Sequence, residues 1–198
     1  MVRHHVEHYY SEKPHSQLAE KAVDMFVRGH RCSFITPSGV FSLGRVDKGS
    51  LLLVESVSLS DERVLDFGCG WGFVGIVMKK IFPSCHVTLA DINERALLYA
   101  EKNARENHVK VNIVQSHLFS ELQEFDVILV NPPMHAGRDV CYSLIEGAKE
   151  HLSSRGKLYV VALHNKGGAM LEKKMNDVFG NVQTVSKKSG FRVYASAK

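Results

Sequence analysis

Short apolar runs alternate with amphipathic segments from Val64 to the end of this 198-residue chain, and this alternation is the strongest constraint on its fold. The apolar runs predict strands, and the segments between them, with apolar residues on one face, predict helices. A strand–helix–strand order favours an α/β fold with a largely parallel sheet and helices on both faces. Strands are predicted at residues 63–67, 86–91, 111–115, 125–130, 156–163, 182–185 and 191–195, and helices at 72–82, 94–107, 138–152 and 167–179.

The last two of these seven predicted strands flank Lys187-Lys188-Ser189-Gly190, which has the composition of a hairpin turn. A hairpin reverses the chain direction, so the sequence predicts a mostly parallel seven-stranded sheet with one antiparallel edge strand. We assign this sheet and its helices to one domain, residues 61–198.

The first 60 residues do not share the alternation and predict a small α+β extension packed on the main domain. Residues 16–28 fit an amphipathic helix, since Leu18, Ala22, Val23 and Phe26 fall on one face. Residues 32–35 and 40–43 are predicted to pair as a hairpin around Pro37-Ser38-Gly39. Asp47 is predicted to cap a helix that includes residues 51–54.

Charge and cysteine content narrow the class of protein. A formal net charge of +4 and a pI of about 8.8 are compatible with a polyanionic partner without requiring one. The four cysteines are scattered and form no C-x-x-C pair, which favours reduced thiols in a cytoplasmic protein over zinc or disulfides. His4, His5 and His8 have no carboxylate or cysteine partner at ligand spacing, so no metal site is predicted.

Membrane insertion and secretion are not indicated by the sequence. No stretch approaches the roughly 20 apolar residues of a membrane span. The N-terminus also lacks the apolar region of a signal peptide. The sequence therefore predicts a cytoplasmic protein that does not associate with membranes.

The fourth predicted strand ends abruptly at Asn131-Pro132-Pro133-Met134. Neither proline has an N–H, so the chain must leave the sheet there, at the carboxyl edge where open α/β sheets bind their ligands. The residue before a proline is held extended, which makes the Asn–Pro backbone stiff. The side-chain and main-chain oxygens of this segment form a rigid pair of acceptors suited to a planar –NH2 group. A strand that simply ends in a proline-rich turn would have the same sequence pattern.

A glycine-rich turn follows the first predicted strand, in Asp66-Phe67-Gly68-Cys69-Gly70-Trp71-Gly72. Glycines allow a ligand to approach the backbone closely. A dinucleotide fingerprint would place its third glycine at position 73, where this chain has phenylalanine. Asp66 before the glycines would repel a pyrophosphate but suits a cofactor with a free amino group. Asp91, at the end of the second strand, can accept both ribose hydroxyls of a nucleoside or simply cap a helix.

Asp66, Gly68, Gly70, Gly72 and Asp91 resemble motifs I and II of the class I methyltransferases that use S-adenosylmethionine. The resemblance implies a Rossmann-like class I methyltransferase fold and places Ile92, His117 and Leu118 at the cofactor as well. Members of that family usually have aspartate at the position of His117, where it accepts a bond from the adenine amino group. A neutral imidazole can also accept that bond, whereas a protonated one cannot.

In the same family, N-P-P followed by an apolar residue marks methylation of an exocyclic amine or amide nitrogen. The resemblance therefore makes Asn131, Pro132, Pro133 and Met134 the catalytic segment, with Asn131 also next to the cofactor. Hydrogen-bond acceptors bound to the two N–H groups of the target amine would turn its lone pair toward the methyl group. They would also stabilise the positive charge that develops on the amine nitrogen.

Three segments narrow the resemblance to the small-subunit rRNA guanine-N2 methyltransferases, closest to small stand-alone archaeal members. These segments are N-P-P-M-H-A-G at 131–137, G-V-F-S with V-D-K-G-S at 39–50, and Y-Y-S-E-K-P at 9–14. The implied partner is RNA, as rRNA or a ribosomal subunit. Met134 replaces the usual aromatic residue, and the chain has no room for the second domain of the bacterial enzymes. RNA binding would then need the N-terminal extension, a homodimer or an auxiliary protein.

Two other classes stay open from the sequence. An adenine-N6 nucleic-acid methyltransferase or a protein-glutamine N5 methyltransferase would share the N-P-P segment but usually has an aromatic residue in place of Met134. A protein that binds S-adenosylmethionine without turnover would also fit, because His117 and Met134 both depart from the family pattern.

Overall fold

Two sheets and five helices make up residues 17–198, the part of the chain that the computed structural model describes. The Y-Y-S-E-K-P segment and the three N-terminal histidines lie outside the described residues. The strands are β1 (Glu20–Val27), β2 (His30–Pro37), β3 (Arg63–Phe67), β4 (His86–Asp91), β5 (Asn112–Gln115), β6 (Phe125–Val130), β7 (Leu152–Leu163), β8 (Gln183–Lys188) and β9 (Phe191–Ala197). The helices are α1 (Lys48–Ser56), α2 (Phe73–Ile81), α3 (Glu94–Glu106), α4 (Arg138–Glu150) and α5 (Gly168–Phe179).

The larger sheet has seven strands in the order β5-β4-β3-β6-β7-β9-β8. The strands from β3 to β7 are mutually parallel. Helices α2, α3 and α4 make three of the connections between them, and a loop joins β5 to β6. Strand β9 runs antiparallel to β7 and to the edge strand β8. Ser189 and Gly190 both have positive φ, 50° and 83°, which makes a two-residue hairpin turn between β8 and β9. The predicted α/β fold and its sheet are confirmed.

Helices cover both faces of this sheet. On one face α1, α2 and α3 bury residues such as Leu53, Ile76 and Tyr99, and on the other α4 and α5 bury residues such as Leu144 and Met175. Each of these five side chains is at most 1% exposed. The two apolar layers supply the hydrophobic stabilisation of the fold and hold the strand ends in place.

The predicted helix 16–28 is wrong, because residues 20–27 form strand β1. Arg28 and Gly29 both have positive φ, 48° and 84°, and this turn pairs β1 with β2. Side chains alternate along β1, so Phe26 is 74% exposed while Val27 is buried. The predicted pairing of 32–35 with 40–43 is also wrong, since β2 pairs with β1 instead.

The predicted cap at Asp47 is confirmed, because its carboxylate accepts the Ser50 N–H at the start of α1. The cap of α3 forms in the same way, with Asn93 accepting the Ala96 N–H at 3.1 Å. The division of the chain at residue 60 stays a prediction.

Asn103 of α3 and Asn107, the residue that caps its C-terminal end, attach the small β1–β2 sheet to the helix layer of the larger sheet. The Asn103 side chain accepts from the Ile35 N–H at 2.8 Å and donates to the Ile35 carbonyl at 3.0 Å. Asn107, one helical turn further, makes the same pair of bonds with Ser33, at 3.1 Å and 2.7 Å. Ser33 and Ile35 are two residues apart on β2, so the two amides satisfy its free edge as a neighbouring strand would.

Replacing Asn103 with alanine should lower the free energy of unfolding by about 2–4 kcal/mol, since buried polar groups of Ile35 and Trp71 lose their partner. Urea unfolding of Asn103→Ala against wild type measures this loss. The matched control is Asn165→Ala, at an exposed asparagine, which should change stability by less than about 0.5 kcal/mol. Equal stability of the two variants would contradict the anchoring role of Asn103.

Candidate active site

The carboxyl ends of three neighbouring strands lie level with one another. Phe67, the last residue of β3, pairs with Ala90 of β4 and with Val130 of β6. The residues that follow them are Gly68, Asp91 and Asn131, so all three lie at one edge of the sheet. Gly68 and Asn131 come directly after their strands, and Asp91 is the last residue of β4. A cavity of about 720 Å³ opens there. Its wall contains most of the predicted site residues: Gly68, Gly70, Asp91, Ile92, His117, Leu118, Asn131, Pro132, Pro133 and Met134.

The glycine-rich turn is held against the end of β4. The Gly68 and Cys69 N–H groups both donate to the Ala90 carbonyl, at 2.8 Å and 3.0 Å, and Gly70 donates to the Asp91 carboxylate at 2.8 Å. Gly68 and Gly70 have φ values of 68° and 54°, which other residues adopt only with strain. Their backbone is therefore presented to the cavity without a side chain in between.

Gly72 is not on the cavity wall. A Cβ atom there would lie 2.7 Å from Ile76 Cδ1 and 3.2 Å from Ala100 Cα, so glycine at this position permits close packing of α2 against α3. The structure thus gives Gly72 a packing role, and its predicted contact with a cofactor stays a prediction.

Asp66 is almost fully buried behind the glycine-rich turn, in a small cavity that it shares with Gly68, Gly70 and Asn131. Its carboxylate accepts the Gly75 N–H at 2.8 Å. Burial and, to a smaller extent, the nearby charge of Asp91 raise the pKa of Asp66 to about 7, against the opposing effect of the Gly75 bond. Asp66 therefore titrates near neutral pH, and a cation beside it would stabilise its ionised form.

Asp91 has both carboxylate oxygens engaged by the backbone. Oδ2 accepts from the Gly70 N–H and Oδ1 from the Asn93 N–H at 3.0 Å. Burial raises the pKa of Asp91, while these N–H bonds oppose the rise. Each carboxylate oxygen has a second lone pair, so a rigidly held acceptor still faces the cavity.

The turn after β5 closes another part of the wall. The Ser116 hydroxyl donates to the Leu118 carbonyl at 2.8 Å, and Leu118 has a φ of 54°, a strained value for a non-glycine residue. This turn directs His117 and Leu118 to the cavity, as the sequence predicts.

The chain turns sharply after β6. The Met134 N–H donates to the Pro132 carbonyl at 2.9 Å, which makes a three-residue turn. The Ala136 N–H donates to the Pro133 carbonyl at 2.8 Å and forms a short 3-10 helix at Met134–Ala136. The Asn131 side chain donates through Nδ2 to Asp47 Oδ2 at 3.0 Å and to Ser50 Oγ at 2.9 Å. The amide therefore has a fixed orientation at the cavity wall.

Sequence reasoning missed several wall residues, including Phe41, Val140, Lys166 and Phe191. The sequence places Phe41 in the G-V-F-S segment but does not predict that it lines the cavity. Phe191 pairs with Leu163, at the carboxyl end of β7, and so reaches the cavity from the antiparallel strand. The Ser189-Gly190 turn predicts the hairpin, but it does not predict the pairing register that places Phe191 at this edge.

Residues 17–198 contain no cluster of three or more His, Cys, Asp or Glu side chains able to hold a metal ion. None of the helices in this range combines the length and apolar character needed to cross a membrane.

The sheet order, the glycine-rich turn and the acid at the end of β4 define the class I methyltransferases. The family model described as the methyltransferase small domain matches residues 31–195. The chain belongs to this family, and the resemblance predicted from the sequence is confirmed.

Two relatives differ in how much of their own length they share with this chain. The uncharacterized protein YbxB of Bacillus subtilis is 36% identical, over 97% of this chain and 98% of its own length. Ribosomal RNA small subunit methyltransferase C of Aliivibrio fischeri is 35% identical over 81% of this chain. The alignment takes in 48% of that protein, so the chain spans about half the length of this rRNA methyltransferase.

A solved structure of similar fold is the T. thermophilus 16S rRNA N2 G1207 methyltransferase, RsmC, in complex with AdoMet and guanosine. It is 25% identical with a TM-score of 0.78, over 93% of this chain and 52% of the other. A methyltransferase from Pyrococcus furiosus, 23% identical with a TM-score of 0.66, shares the fold.

The raised pKa of Asp66 should make stability depend on pH. Between the usual carboxyl pKa of about 4 and the folded-state value, the folded protein keeps a proton that the unfolded chain has lost, so stability falls as pH rises. Asp66→Asn cannot titrate, so wild type should lose about 2.5 kcal/mol relative to it between pH 5 and pH 8. Urea unfolding at both pH values measures the difference, and parallel pH profiles would contradict the prediction.

Proposed function

We propose that this protein transfers a methyl group from S-adenosylmethionine to an exocyclic amino nitrogen of a nucleobase, with guanine N2 in rRNA as the preferred target. The observation that carries the proposal is the fixed amide of Asn131, level with Gly68 and Asp91 at one edge of the sheet. The names of the Aliivibrio and T. thermophilus relatives support rRNA and guanine N2 as the substrate. A cytoplasmic location belongs to the same proposal, since rRNA is found there.

The cavity suits S-adenosylmethionine in size and in chemistry. A volume of about 720 Å³ is within the usual range for a site that holds a cofactor together with part of a substrate. Gly68 and Gly70 present bare backbone to the amino-acid portion, and Asp91 would accept bonds from the ribose hydroxyls. Ile92 and Leu118 offer apolar surface to the adenine, and His117 a ring nitrogen.

Asp66 would act at the amino group of the cofactor, directly or through water. A cation beside this carboxylate offsets the desolvation that raises its pKa, so cofactor binding should favour the ionised form. When bound, S-adenosylmethionine supplies a methyl group on a positively charged sulfur, which needs no further activation. The protein then contributes alignment and electrostatics more than acid–base chemistry.

The target nitrogen is a weak nucleophile because its lone pair is delocalised into the base. Asn131 Oδ1 and the Pro132 carbonyl would accept its two N–H bonds, which turns the lone pair toward the methyl donor. The Pro132 carbonyl already accepts the Met134 N–H, and its second lone pair can take the other bond. The same oxygens stabilise the positive charge that develops on nitrogen.

The apolar side chains around the cavity mouth would hold the base. Phe41, Pro133, Met134 and Phe191 all contribute to the wall. A thioether can lie against a ring face, and the two phenylalanines add the aromatic surface that methionine lacks. A homodimer or an auxiliary protein would add RNA contacts outside this cavity.

The proposal is tested by transfer of labelled methyl groups to separate pools of unmodified rRNA, small ribosomal subunits, DNA and protein. Nucleoside analysis by mass spectrometry should find N2-methylguanosine in the RNA product. Label in adenine or in protein glutamine would replace the proposed substrate with one of the other N-methylation targets. Cofactor binding without transfer to any pool would overturn the enzymatic role.

Asn131→Ala should keep the affinity for S-adenosylmethionine within about threefold but lower turnover by roughly 10²–10³, the usual loss when one transition-state hydrogen bond is removed. Titration calorimetry and single-turnover transfer measure the two quantities separately. Turnover equal to wild type would exclude Asn131 from the mechanism.

Asp91→Ala should weaken binding of S-adenosylmethionine by about 1.5–3 kcal/mol, because charge-assisted bonds to the ribose are lost. Calorimetry gives the dissociation constant directly. Asp177→Ala, at an exposed acid on α5, is the matched control and should bind like wild type. An unaltered constant in Asp91→Ala would contradict the ribose assignment.

A further inference from the structure

We infer that Asp47 and Ser50 are positioning residues that fix which end of the Asn131 amide faces the target amine. The inference rests on the proposed function and names the groups that make Asn131 an acceptor. It assigns a role to the V-D-K-G-S segment at residues 46–50, which lies outside the cofactor and N-P-P motifs.

Both N–H groups of the Asn131 amide are engaged by this segment. Nδ2 donates to Asp47 Oδ2 at 3.0 Å and to Ser50 Oγ at 2.9 Å. An ionised carboxylate can only accept, so the nitrogen end of the amide must face Asp47. A reversed amide would place two oxygens against each other, so Oδ1 is held on the opposite side.

The held orientation leaves one polar atom of the amide unused. Within residues 17–198, Oδ1 of Asn131 accepts no hydrogen bond, and the residue lines the large cavity. A fixed acceptor selects an N–H donor. If the amide could flip, its own N–H groups would face the target amine for part of the time and would repel the N–H groups of that amine.

The two positioning residues are themselves held in place. Asp47 Oδ2 also accepts the Ser50 N–H at 3.0 Å, as the cap of α1, and Ser50 is only 9% exposed. A Cβ atom at position 49 would lie 2.9 Å from Asp47 Oδ2 and 2.9 Å from Phe191 Cε1. Glycine at this position is therefore needed for the carboxylate and Phe191 to approach each other.

Helix α1 connects this segment to the main sheet. It contacts β7 and β9, and Leu52, Leu53 and Val54 are buried in the apolar layer that includes Val161 and Val193. The position of the Asp47 carboxylate relative to Asn131 is thus set by the packing of α1 on the sheet. The Asn131 amide, directly after β6, thus depends on residues 84 and 81 positions earlier in the chain.

The first test is an NMR measurement that does not depend on activity. The side-chain amide signals of Asn131 are assigned by their loss in Asn131→Ala. In wild type these protons should exchange with water at least tenfold more slowly than those of exposed Asn165, and Ser50→Ala should accelerate the exchange. Exchange as fast as that of Asn165 in the wild-type protein would overturn the inference.

The matched control is Ser56→Ala. Ser56 lies in the same helix and its hydroxyl donates to the Leu52 carbonyl at 2.6 Å, away from Asn131. This variant should leave the exchange of the Asn131 amide protons at the wild-type rate. Equal acceleration by Ser50→Ala and Ser56→Ala would assign the effect to the helix as a whole and overturn the positioning role.

The second test follows methyl transfer. Ser50→Ala should lower kcat about tenfold with the dissociation constant for S-adenosylmethionine within twofold, whereas Ser56→Ala should leave both unchanged. In an Asn131→Ala background, Ser50→Ala should cause no further loss, because its effect passes through that amide. A further tenfold loss in that background would overturn the inference.

Asp47→Asn provides a conservative variant. Asparagine caps helices as well as aspartate does, and its oxygen can still accept from Ser50 and Asn131, so this variant should retain more activity than Asp47→Ala. If wild type transfers methyl to no substrate, the proposed function fails, and the exchange rates still decide whether Asp47 and Ser50 hold the amide.

Discussion

The level ends of β3, β4 and β6 are the constraint on which the rest of the structure depends. Because Phe67 pairs with both Ala90 and Val130, the next residues of the three chains, Gly68, Asp91 and Asn131, lie at the same height along the sheet. Residues 68, 91 and 131 are far apart in the chain but become neighbours around one cavity. A slip of one strand by a single residue would turn its side chains to the opposite face and remove one of these groups from the site.

The N-terminal segment is as much a part of the candidate site as the parallel sheet. Asn103 and Asn107 satisfy the free edge of β2, and the chain then crosses to α1, where Asp47 and Ser50 reach Asn131. The family match begins at residue 31, within β2, and so includes α1 together with the main sheet.

Met134 stands where the resemblance predicts an aromatic residue, and its surroundings leave room for its side chain. A Cβ atom at position 167 would lie 2.4 Å from Met134 Cε, so glycine there leaves space for the long thioether side chain. Phe41 and Phe191 approach the same cavity from the N-terminal segment and from the antiparallel strand. Aromatic surface is thus available from two residues that neither periodicity nor the N-P-P motif points to.

The sequence by itself determined the alternating fold, the cap at Asp47, and the cavity residues at the carboxyl ends of β3, β4, β5 and β6. These features depend on local patterns, since periodicity, proline and glycine act within a few residues of themselves. Only the tertiary structure decided that residues 20–27 form a strand, because an Arg-Gly turn and bonds from α3 outweigh a helical pattern of apolar residues. The tertiary structure also decided which way the Asn131 amide faces. The two ends of a side-chain amide have nearly the same shape, so its orientation is set by the Asp47 carboxylate, which can only accept a hydrogen bond.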